Sequence, residues 1–415
     1  MKKSVLYLLF AVLAFHANGQ IKLMSYNILN YPTSELIGRA DTLQHIIDYV
    51  EPDILMVQEL KSAWGLEQLL TVSFANQSGN FATSEYVPQQ GNPGNSNSLQ
   101  QAIVYDQDKF TLYSQDEVIT TYRDVNEFVL YLNDSQLPNG ADTTFIYLYV
   151  THLKSSSGNT NQQLRLEMVE AWREYIEANV DDDAMVIFAG DFNVYSSTEP
   201  AYQLLLGSDE TIPLYDPIDA PGVWTDSGYP NKEYLTQSTR TQTIFNDGAS
   251  GGLDDRFDFI LVSDNLLDQS STVHYLEDSY LALGNNGTCY NQNILDCDQG
   301  NDVPYSMLSS LYYMSDHLPI IMELETSVDL ALDVAHLPLQ KNFGTYFNGR
   351  LGQITFKFPK LSPTEYQIFS AHGSLIQTGR IAQGQRFVDC KMEDAGLYLF
   401  CIPSTGETLR FFVKD

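Results

Sequence analysis

The chain has 415 residues, which is too long for one small domain and fits roughly two or three. Its apolar residues (43%) and aromatic residues (12%) are sufficient for a large core. The formal charge is −31, from 22 basic and 53 acidic residues, which excludes a general electrostatic attraction to nucleic acid or to an anionic membrane. Any phosphate chemistry would therefore need a local cation, most simply a divalent metal.

The first nineteen residues predict a secretory signal peptide. MKKSVLYLLFAVLAFHANG combines a basic start, an apolar run and small residues at the cleavage position, which leaves Gln20 as the mature start. The apolar run is too short to span a bilayer, no cysteine follows the cleavage position, and no later segment has a transmembrane pattern. We therefore expect an exported protein, secreted or held at the cell surface after passage through the periplasm, without stable membrane insertion.

Short apolar runs typical of strands alternate with helical segments from residue 21 onward. The strand-like runs are IKLMSYNIL, DILMVQEL, QAIVYD, EFVLYLN, FIYLYVTHLK, AMVIFAGDFN, RFDFILVS and LPIIMEL. ELIGRADTLQHIIDYVEP and NQQLRLEMVEAWREYIEANV have the apolar spacing of amphipathic helices. VPQQGNPGNSNSLQQ and FNDGASGGLDD have the composition of loops. This proportion of strands and helices predicts an α/β sandwich with sheets inside and helices outside.

The composition changes near residue 330. Beyond it, QITFKFPKL, EYQIFSAHGSLIQTGRI and GLYLFCIPSTGETLRFFVKD alternate short strands with turns and have almost no helical pattern. We therefore place the first domain at residues 20–326 and a small all-β module at residues 327–415. The four cysteines either form two short disulfide loops, Cys289–Cys297 and Cys390–Cys401, or remain as buried thiols.

Polar side chains interrupt, end or precede six of the strand-like runs. They are Asn27, Glu59, His152, Asp191, Asn193, Asp258, Asp316 and His317. Burying an unpaired carboxylate costs on the order of several kcal/mol, so these groups must meet each other, water or a cation. Taken singly, each has an ordinary structural explanation, such as a solvated strand end for Glu59 or a turn for GDFN. Because they fall at successive strand ends of one domain, we expect them to converge in one cluster.

Such a cluster is suited to phosphodiester hydrolysis. A hard divalent cation favours oxygen ligands, which Glu59, Asp316 and the Asn27 amide would supply. That cation would polarise the phosphate and stabilise the departing alkoxide. Histidine suits general acid–base catalysis near neutral pH, and a neighbouring carboxylate fixes its tautomer. Two histidines near acids, His152 and His317, would let one side activate water while the other protonates the leaving group.

The series SYNILN, DILMVQE, VTHLKS, FAGDFNV, DRFDFILVS and SDHLPI extends over residues 21–324 and resembles the endonuclease/exonuclease/phosphatase superfamily. GDFN followed much later by SDHLP is the most specific pair. The resemblance implies a four-layered α/β sandwich, in which two packed mixed sheets are flanked by helices. It also implies Mg2+-dependent cleavage of phosphoester bonds, with Mn2+ or Ca2+ as alternative metals.

The resemblance assigns the metal ligands. Glu59 would be the principal ligand, helped by Asn27 and Asp316. One departure from the superfamily bears on the substrate, because apurinic-site enzymes tend to have an acid two residues after the first asparagine, where this chain has Leu29. This departure and the predicted signal peptide argue against a role in base-excision repair.

The resemblance also assigns the remaining residues. Asp191 and Asn193 would position the attacking water and the phosphoryl oxygens, with a second metal as an option. His317, held by Asp258, would contact the scissile phosphate or act as the base. His152 matches the second histidine that deoxyribonuclease-like members place near the leaving oxygen. Two nearby basic residues either add positive charge near the phosphate or lie on the surface; they are Lys154 and Arg165.

The C-terminal module resembles the sorting domain of bacterial type IX secretion substrates. SAHGSLIQTGRI and AGLYLFCIPSTGETLRFFVKD match its pattern of strand, glycine turn and strand, although the usual PNP opening is absent. The resemblance implies that the secretion machinery is a partner of this module. The alternative is a small sandwich that binds carbohydrate or a surface.

The function that we favour is an exported metal-dependent phosphodiesterase, an endonuclease that degrades extracellular nucleic acid. One alternative is a phospholipid or small-molecule phosphoesterase of sphingomyelinase type, for which VSFANQSGNF and LSSLYYM offer aromatic residues but no clear membrane-contacting hairpin. The other is a surface-binding protein that has lost activity, yet none of the expected acids or histidines is missing. The sequence does not specify an oligomeric state.

Overall fold

The computed structural model describes residues 19–33, 38–92, 99–208, 210–244, 247–297 and 303–330 in the first part of the chain. Beyond these, it describes residues 345–348, 353–356, 364–370, 374–382, 385, 387–390, 392, 396–402 and 407–413. The chain divides into two compact units, Met1–Ala331 and Leu332–Asp415. The predicted signal peptide lies outside the described residues except for Gly19.

The described strands and helices of the first unit have the following bounds. The strands are β1 Gly19–Tyr31, β2 Ile54–Leu60, β3 Phe81–Thr83, β4 Gln100–Asp106, β5 Phe110–Val118, β6 Val125–Leu132, β7 Phe145–His152, β8 Val186–Asp191, β9 Leu214–Tyr215, β10 Asp258–Ser263, β11 Val273–Tyr275, β12 Leu281–Ala282 and β13 Ile320–Thr326. The α-helices are α1 Arg39–Val50, α2 Ala63–Gln68, α3 Asn159–Asn179, α4 Pro200–Leu205 and α5 Tyr305–Met314. All eight predicted strands and both predicted helices are present among them.

Two mixed sheets form the centre of the first unit. One has the strand order β11-β13-β1-β2-β4-β3, with β12 also paired to β13, and the other has the order β5-β6-β7-β8-β10-β9. β1 and β2 are parallel, and so are β7 and β8. Parallel neighbours need a crossover connection, which α1 and α3 supply. Each crossover brings the carboxyl ends of two strands to the same edge of a sheet.

Both faces of each sheet are covered, as the nearly continuous apolar runs of the strands require. Leu23 of β1 lies in a core that residues of both sheets share. Its neighbour Met24 points the other way, into an outer core that also contains Leu43 of α1. On the second sheet, Trp172 of α3 packs against Phe188 of β8 with ring centroids 4.4 Å apart. The predicted four-layered sandwich is therefore confirmed.

Every arginine between residues 20 and 330 is buried. The six are Arg39, Arg123, Arg165, Arg173, Arg240 and Arg256. None is more than 7% exposed. Arg39 donates to Leu29 O (2.8 Å) at the end of β1, and Arg173 donates to Leu205 O (2.5 Å) at the end of α4. Guanidinium groups thus satisfy backbone carbonyls that strand and helix ends leave without partners.

The described residues of the second unit that belong to regular secondary structure are all in β-strands, as predicted. Its described strands are β14 Thr345–Asn348, β15 Gln353–Phe356, β16 Thr364–Ser370, β17 Leu375–Ile381, β18 Phe387–Asp389, β19 Gly396–Ile402 and β20 Glu407–Val413. They form a three-stranded sheet, β14-β15-β18, and a four-stranded sheet, β17-β16-β19-β20. Ile354, Ile368 and Phe400 belong to a core of its own. The assignment of this unit to secretion sorting stays a prediction.

One of the two candidate disulfides is formed. Cys289 and Cys297 are bonded, and the loop that they close is hydrogen-bonded to Leu253 through Asn291 N (2.9 Å to Leu253 O). Within the described residues Cys390 and Cys401 are free thiols, so the second disulfide loop is not formed. Cys390 follows β18 of the three-stranded sheet, whereas Cys401 lies in β19 of the four-stranded sheet. Closeness in sequence therefore does not make these two a pair.

A buried ion pair joins the start of β10 to the segment after β9. Arg256 donates to both carboxylate oxygens of Asp216, at 2.7 and 2.9 Å, and both side chains are almost fully buried. Burial alone would raise the pKa of Asp216, but the charge of Arg256 outweighs it and the pKa lies below its ordinary value. Stability from this pair is therefore fully present above the unfolded-state pKa and is lost as pH falls through the folded pKa.

We predict that Asp216→Asn lowers the free energy of unfolding by about 3–5 kcal/mol near neutral pH, because Arg256 is left buried without a counter-charge. The wild-type protein should lose this contribution below a pH of about 4, so the two unfolding free energies should converge on acidification. Urea denaturation at several pH values measures both effects. The exposed Asp219 gives the control, since Asp219→Asn should change stability little. Equal stability of wild type and Asp216→Asn at pH 7 would contradict the prediction.

Candidate active site

Strand pairing brings five polar residues to one end of the first unit. In the second sheet, His152 at the end of β7 is in register with Asp191 at the end of β8. Asp191 is in turn in register with Asp258 at the start of β10. In the first sheet, Asn27 and Glu59 lie near the carboxyl ends of the parallel strands β1 and β2. The expected convergence of strand ends is therefore present in the backbone itself.

The backbone turns sharply where β1 and β2 end. Leu29, Asn30 and Glu59 have positive φ angles of 43°, 50° and 65°. A non-glycine residue in this region costs roughly 1–3 kcal/mol, and such residues concentrate at functional sites. The turn places Asn30 N 2.7 Å from Glu59 Oε2, to which it donates. Local strain thus fixes the direction of the Glu59 carboxylate.

The GDFN turn depends on its glycine. Gly190 has φ 135°, and a Cβ at this position would lie 2.0 Å from Thr151 O on the neighbouring strand. Only glycine allows this approach of β8 to β7. After the strand, Asn193 N donates to Asp191 Oδ1 (3.0 Å), and Asn193 Nδ2 donates to Leu153 O (3.2 Å). Asp191 and Asn193 are therefore held together, beside the end of β7.

The Asn27 amide is the centre of the cluster. Its Nδ2 donates to Asp191 Oδ2 (3.0 Å) and to Glu59 Oε1 (3.2 Å), and it lies 3.5 Å from His317 Nε2. The Asn27 side chain is fully buried. His152 Nε2 approaches the same two carboxylates, at 3.4 Å from Asp191 and 3.9 Å from Glu59. One amide therefore links residues from both sheets.

The polar SDH segment is the connection between α5 and β13 and is not part of a strand. Ser315 Oγ donates to Asn27 O (2.7 Å) and accepts from His317 N (3.1 Å). Asp316 Oδ2 accepts from Ala249 N (2.6 Å), which belongs to the predicted FNDGASGGLDD loop. These bonds fix the segment against β1 and against that loop. All eight predicted site residues accordingly lie at this end of the first unit.

The two histidines have opposite environments. Burial alone would lower the pKa of His317, but Asp258, whose Oδ2 lies 2.7 Å from His317 Nδ1, outweighs it together with Asp191 and raises that pKa above its usual value. Burial, reinforced by the charge of Arg123, holds the pKa of His152 well below its usual value. These opposite shifts favour the protonated form of His317 and the neutral form of His152. Such a difference between neighbours is typical of acid–base sites.

The carboxylates repel one another. Burial raises the pKa of Glu59, and the nearby charge of Asp316 raises it further. Burial likewise raises the pKa of Asp191 to about 7, with His317 acting in the opposite direction and Asp258 adding to the increase. The negative charge of the site is therefore only partly balanced by the protein itself.

The donor set fits a divalent cation. Asp258 Oδ1 and Asp316 Oδ1 are buried and have no hydrogen-bond partner among the described residues. Carboxylate and amide oxygens from Glu59, Asp316 and Asn27 are the ligands that hard cations prefer. In the described part of the chain, no three Asp, Glu, His or Cys side chains already have the geometry of a metal site. The ligand types of a metal site are thus present, although Asn27 Oδ1 accepts a hydrogen bond from Leu29 N (3.0 Å).

Sequence reasoning missed Gln237. Its Nε2 lies 3.1 Å from Asp316 Oδ2 and 2.6 Å from His317 Nε2. The amide nitrogen donates to Asp316, so an amide turned over to offer its oxygen to a protonated His317 would set that oxygen against the Asp316 carboxylate. Asn30 was also missed, although it donates to Asp247 Oδ1 (3.0 Å) and so ties β1 to the same loop. Polar residues in loops have no periodicity that would single them out.

Two basic residues expected near the phosphate are engaged elsewhere. Arg165 is fully buried and paired with Glu199 at 2.8 Å, so it is neither a surface residue nor a free phosphate ligand. Lys154 Nζ donates to Ser155 O (2.6 Å) and lies 5.1 Å from the centre of the Tyr122 ring. The expectation of added positive charge is therefore wrong for Arg165.

Solved structures that match this chain include a humanized D. rerio TDP2, with 19% sequence identity and a TM-score of 0.46. The match covers 74% of this chain and 99% of that chain. The catalytic domain of human Nocturnin matches with 17% identity over 74% of this chain and 94% of that chain, TM-score 0.45. A Bacteroides thetaiotaomicron endonuclease/exonuclease/phosphatase family protein matches with 16% identity over 77% and 97%, TM-score 0.45. Likeness at this level says nothing about the substrate of the present protein.

A search of the curated proteins finds no significant match to this chain. A family model described as the Endonuclease/Exonuclease/phosphatase family matches residues 24–317. This span includes all eight residues of the cluster, from Asn27 to His317. The chain therefore belongs to the endonuclease/exonuclease/phosphatase family.

Proposed function

We propose that this protein is an exported, divalent-metal-dependent phosphodiester hydrolase whose substrate is nucleic acid. The observation that supports the reaction type is the cluster itself, in which four acids, two histidines and two asparagines meet with incompletely balanced negative charge. Members of this family generally use divalent metal ions and hydrolyse phosphoesters. A site of this composition is suited to that chemistry and has no evident structural purpose.

Glu59, Asp316 and Asn27 would hold the metal ion, with Asp191 beside them. Mg2+ is the proposed ion and Mn2+ or Ca2+ are alternatives, because all three prefer oxygen ligands. When bound, the ion supplies positive charge that polarises the phosphoryl group and stabilises the leaving oxygen. The same charge would relieve the repulsion that raises the pKa of Glu59.

The remaining residues would position water and move protons. Asp191 and Asn193, fixed side by side by the GDFN turn, would orient the attacking water. His317 would donate a hydrogen bond to a phosphoryl oxygen, since Asp258 holds its ring through Nδ1. His152 lies 3.4 Å from Asp191 and burial lowers its pKa, so it would take up the proton that the attacking water gives up and pass it to the leaving oxygen.

The proposal of export rests on the N-terminal sequence and on one covalent bond. A Cys289–Cys297 disulfide is typical of proteins in oxidising compartments. No helix within the described residues has the length and apolar character that a membrane crossing needs. We propose that residues 327–415 direct secretion through the type IX machinery. This proposal is independent of the proposal about the reaction.

Among the alternative substrates, a membrane phospholipid is less well supported. LSSLYYM forms the end of α5, and in VSFANQSGNF the ring of Phe74 is buried. Neither segment is therefore an exposed aromatic hairpin of the kind expected for a sphingomyelinase. A small soluble phosphoester remains the second candidate, because the surface charge does not favour binding to a polyanion.

We predict that Mg2+ stabilises the wild-type protein and that Glu59→Gln abolishes this effect. A ligand at 100 times its Kd stabilises a protein by about 2.7 kcal/mol, which a thermal unfolding scan with Mg2+ or EDTA detects. Without metal, Glu59→Gln should be at least as stable as wild type, because it removes a buried like charge. Glu67→Gln, at an exposed position of α2, serves as the control and should keep the full shift. An undiminished Mg2+ shift in Glu59→Gln would remove Glu59 from the metal site.

We predict that His317→Ala and His152→Ala each lower kcat on the order of 100-fold or more, the scale for loss of a positioned acid or base. Asp258→Asn should give a similar loss without loss of fold, because His317 loses the carboxylate that orients it. The control is His274→Ala, since His274 pairs with Glu325 near the opposite end of the sheet. Near-normal kcat values for both His317→Ala and His152→Ala would refute the proton-transfer roles.

A substrate panel tests the proposed function directly. Plasmid DNA, RNA, sphingomyelin and inositol phosphates are incubated with the purified protein and Mg2+, Mn2+ or Ca2+, with EDTA controls. Cleavage of nucleic acid that EDTA stops is the expected result. If only sphingomyelin or inositol phosphates are hydrolysed, the proposal that nucleic acid is the substrate is wrong. If hydrolysis continues in EDTA, the proposed metal dependence is wrong.

A further inference from the structure

The surface of the first unit has very little free positive charge. Between residues 20 and 330 the sequence has forty-six acidic residues, six arginines and five lysines. All six arginines are buried inside the sandwich. Any electrostatic attraction for a polyanion must therefore come from the lysines, which are Lys22, Lys61, Lys109, Lys154 and Lys232.

Two of these lysines lie away from the site and are already paired. Lys22, at the start of β1, is 3.6 Å from Glu323. Lys109, in the turn after β4, is 2.7 Å from Asp53, just before β2 begins. Asn27 lies near the other end of β1. Neither lysine can contact a phosphate at the active site.

The other three lysines offer at most a weak local contribution. Lys154 donates to a backbone carbonyl, and burial lowers its pKa. Lys232 donates to Ser227 O (2.6 Å) and lies 4.7 Å from the centre of the Tyr290 ring. Lys61 follows β2 and is partly buried. Only Lys61 and Lys154 lie next to strand ends that carry site residues.

The second unit does not compensate for this deficit. Residues 331–415 contain nine basic and seven acidic residues, so they have no large excess of positive charge. Proteins that bind nucleic acid without sequence preference neutralise several phosphates with basic side chains. Each neutralised phosphate makes the slope of log K against log salt concentration steeper by about 0.7–0.9. Within the described residues 19–330, the six arginines and five lysines do not provide such a set of free cations.

We propose that the enzyme recognises its substrate through the scissile phosphate alone and therefore acts on short phosphodiesters as well as on long ones. This inference rests on the proposed function and adds that dinucleotides and oligonucleotides are cleaved as readily, per phosphodiester, as a polymer. A metal ion held by Glu59, Asp316 and Asn27 would supply the attraction for that one phosphate. Neighbouring phosphates would meet few free cations of the first unit and would add little to binding.

The test compares kcat/KM per phosphodiester for a dinucleotide, a single-stranded oligonucleotide of about thirty residues and plasmid DNA, at saturating Mg2+ and from roughly 30 to 300 mM NaCl. The expected values agree within about threefold, with a log–log salt slope no steeper than about −1. A slope steeper than about −2, or a more than tenfold preference for the long substrates, overturns the inference while leaving the proposed function standing. Failure to cleave any of the three with Mg2+, Mn2+ or Ca2+ overturns the proposed function itself.

Two charge-reversal variants sharpen the test. Glu67→Lys adds a cation on α2, which follows the Glu59 end of β2, and Asp182→Lys adds one before β8, at the end opposite Asp191. Both positions are exposed. Glu67→Lys should steepen the salt slope and favour the longer oligonucleotide over the dinucleotide, whereas Asp182→Lys should do neither. Equal slopes for the two variants would contradict the claim that missing charge near the site limits polymer binding.

Discussion

Four carboxylates share one end of the first unit, and neutral hydrogen bonds rather than counter-charges hold most of them in place. The Asn27 amide bridges Glu59 and Asp191, and a backbone amide caps Asp316. His317 lies 2.7 Å from Asp258 and 3.7 Å from Asp191. Such an arrangement is unfavourable without an added cation, so the rest of the fold must supply the stability that the site lacks.

That stability comes from strand pairing, from two shared cores and from charges placed inside the sandwich. The buried arginines bind carbonyls at the ends of strands and helices, or pair with single acids such as Asp216. The first unit thus uses its six guanidinium groups inside the fold. This placement leaves its surface with few cations that could attract a polyanion.

Periodicity alone predicted the eight strands that matter most, because sheets buried on both faces need long apolar runs. It also located the polar residues at their ends, where a core would not accept them. The sequence analysis predicted no helix at α5, although Met307, Leu311 and Met314 have helical spacing. The role of Gln237 and the burial of the arginines could not be predicted from the sequence. Neither loop contacts nor the burial of a normally exposed residue type leaves a pattern in the sequence.

The disulfide between Cys289 and Cys297 has a consequence for when the site becomes complete. Its loop is bonded to Leu253, four residues from the Ala249 amide that caps Asp316. In a reducing cytoplasm this support would consist of hydrogen bonds only, and the loop would open more readily. On the proposed export route, oxidation would close this loop covalently and so support the segment whose backbone amide binds Asp316.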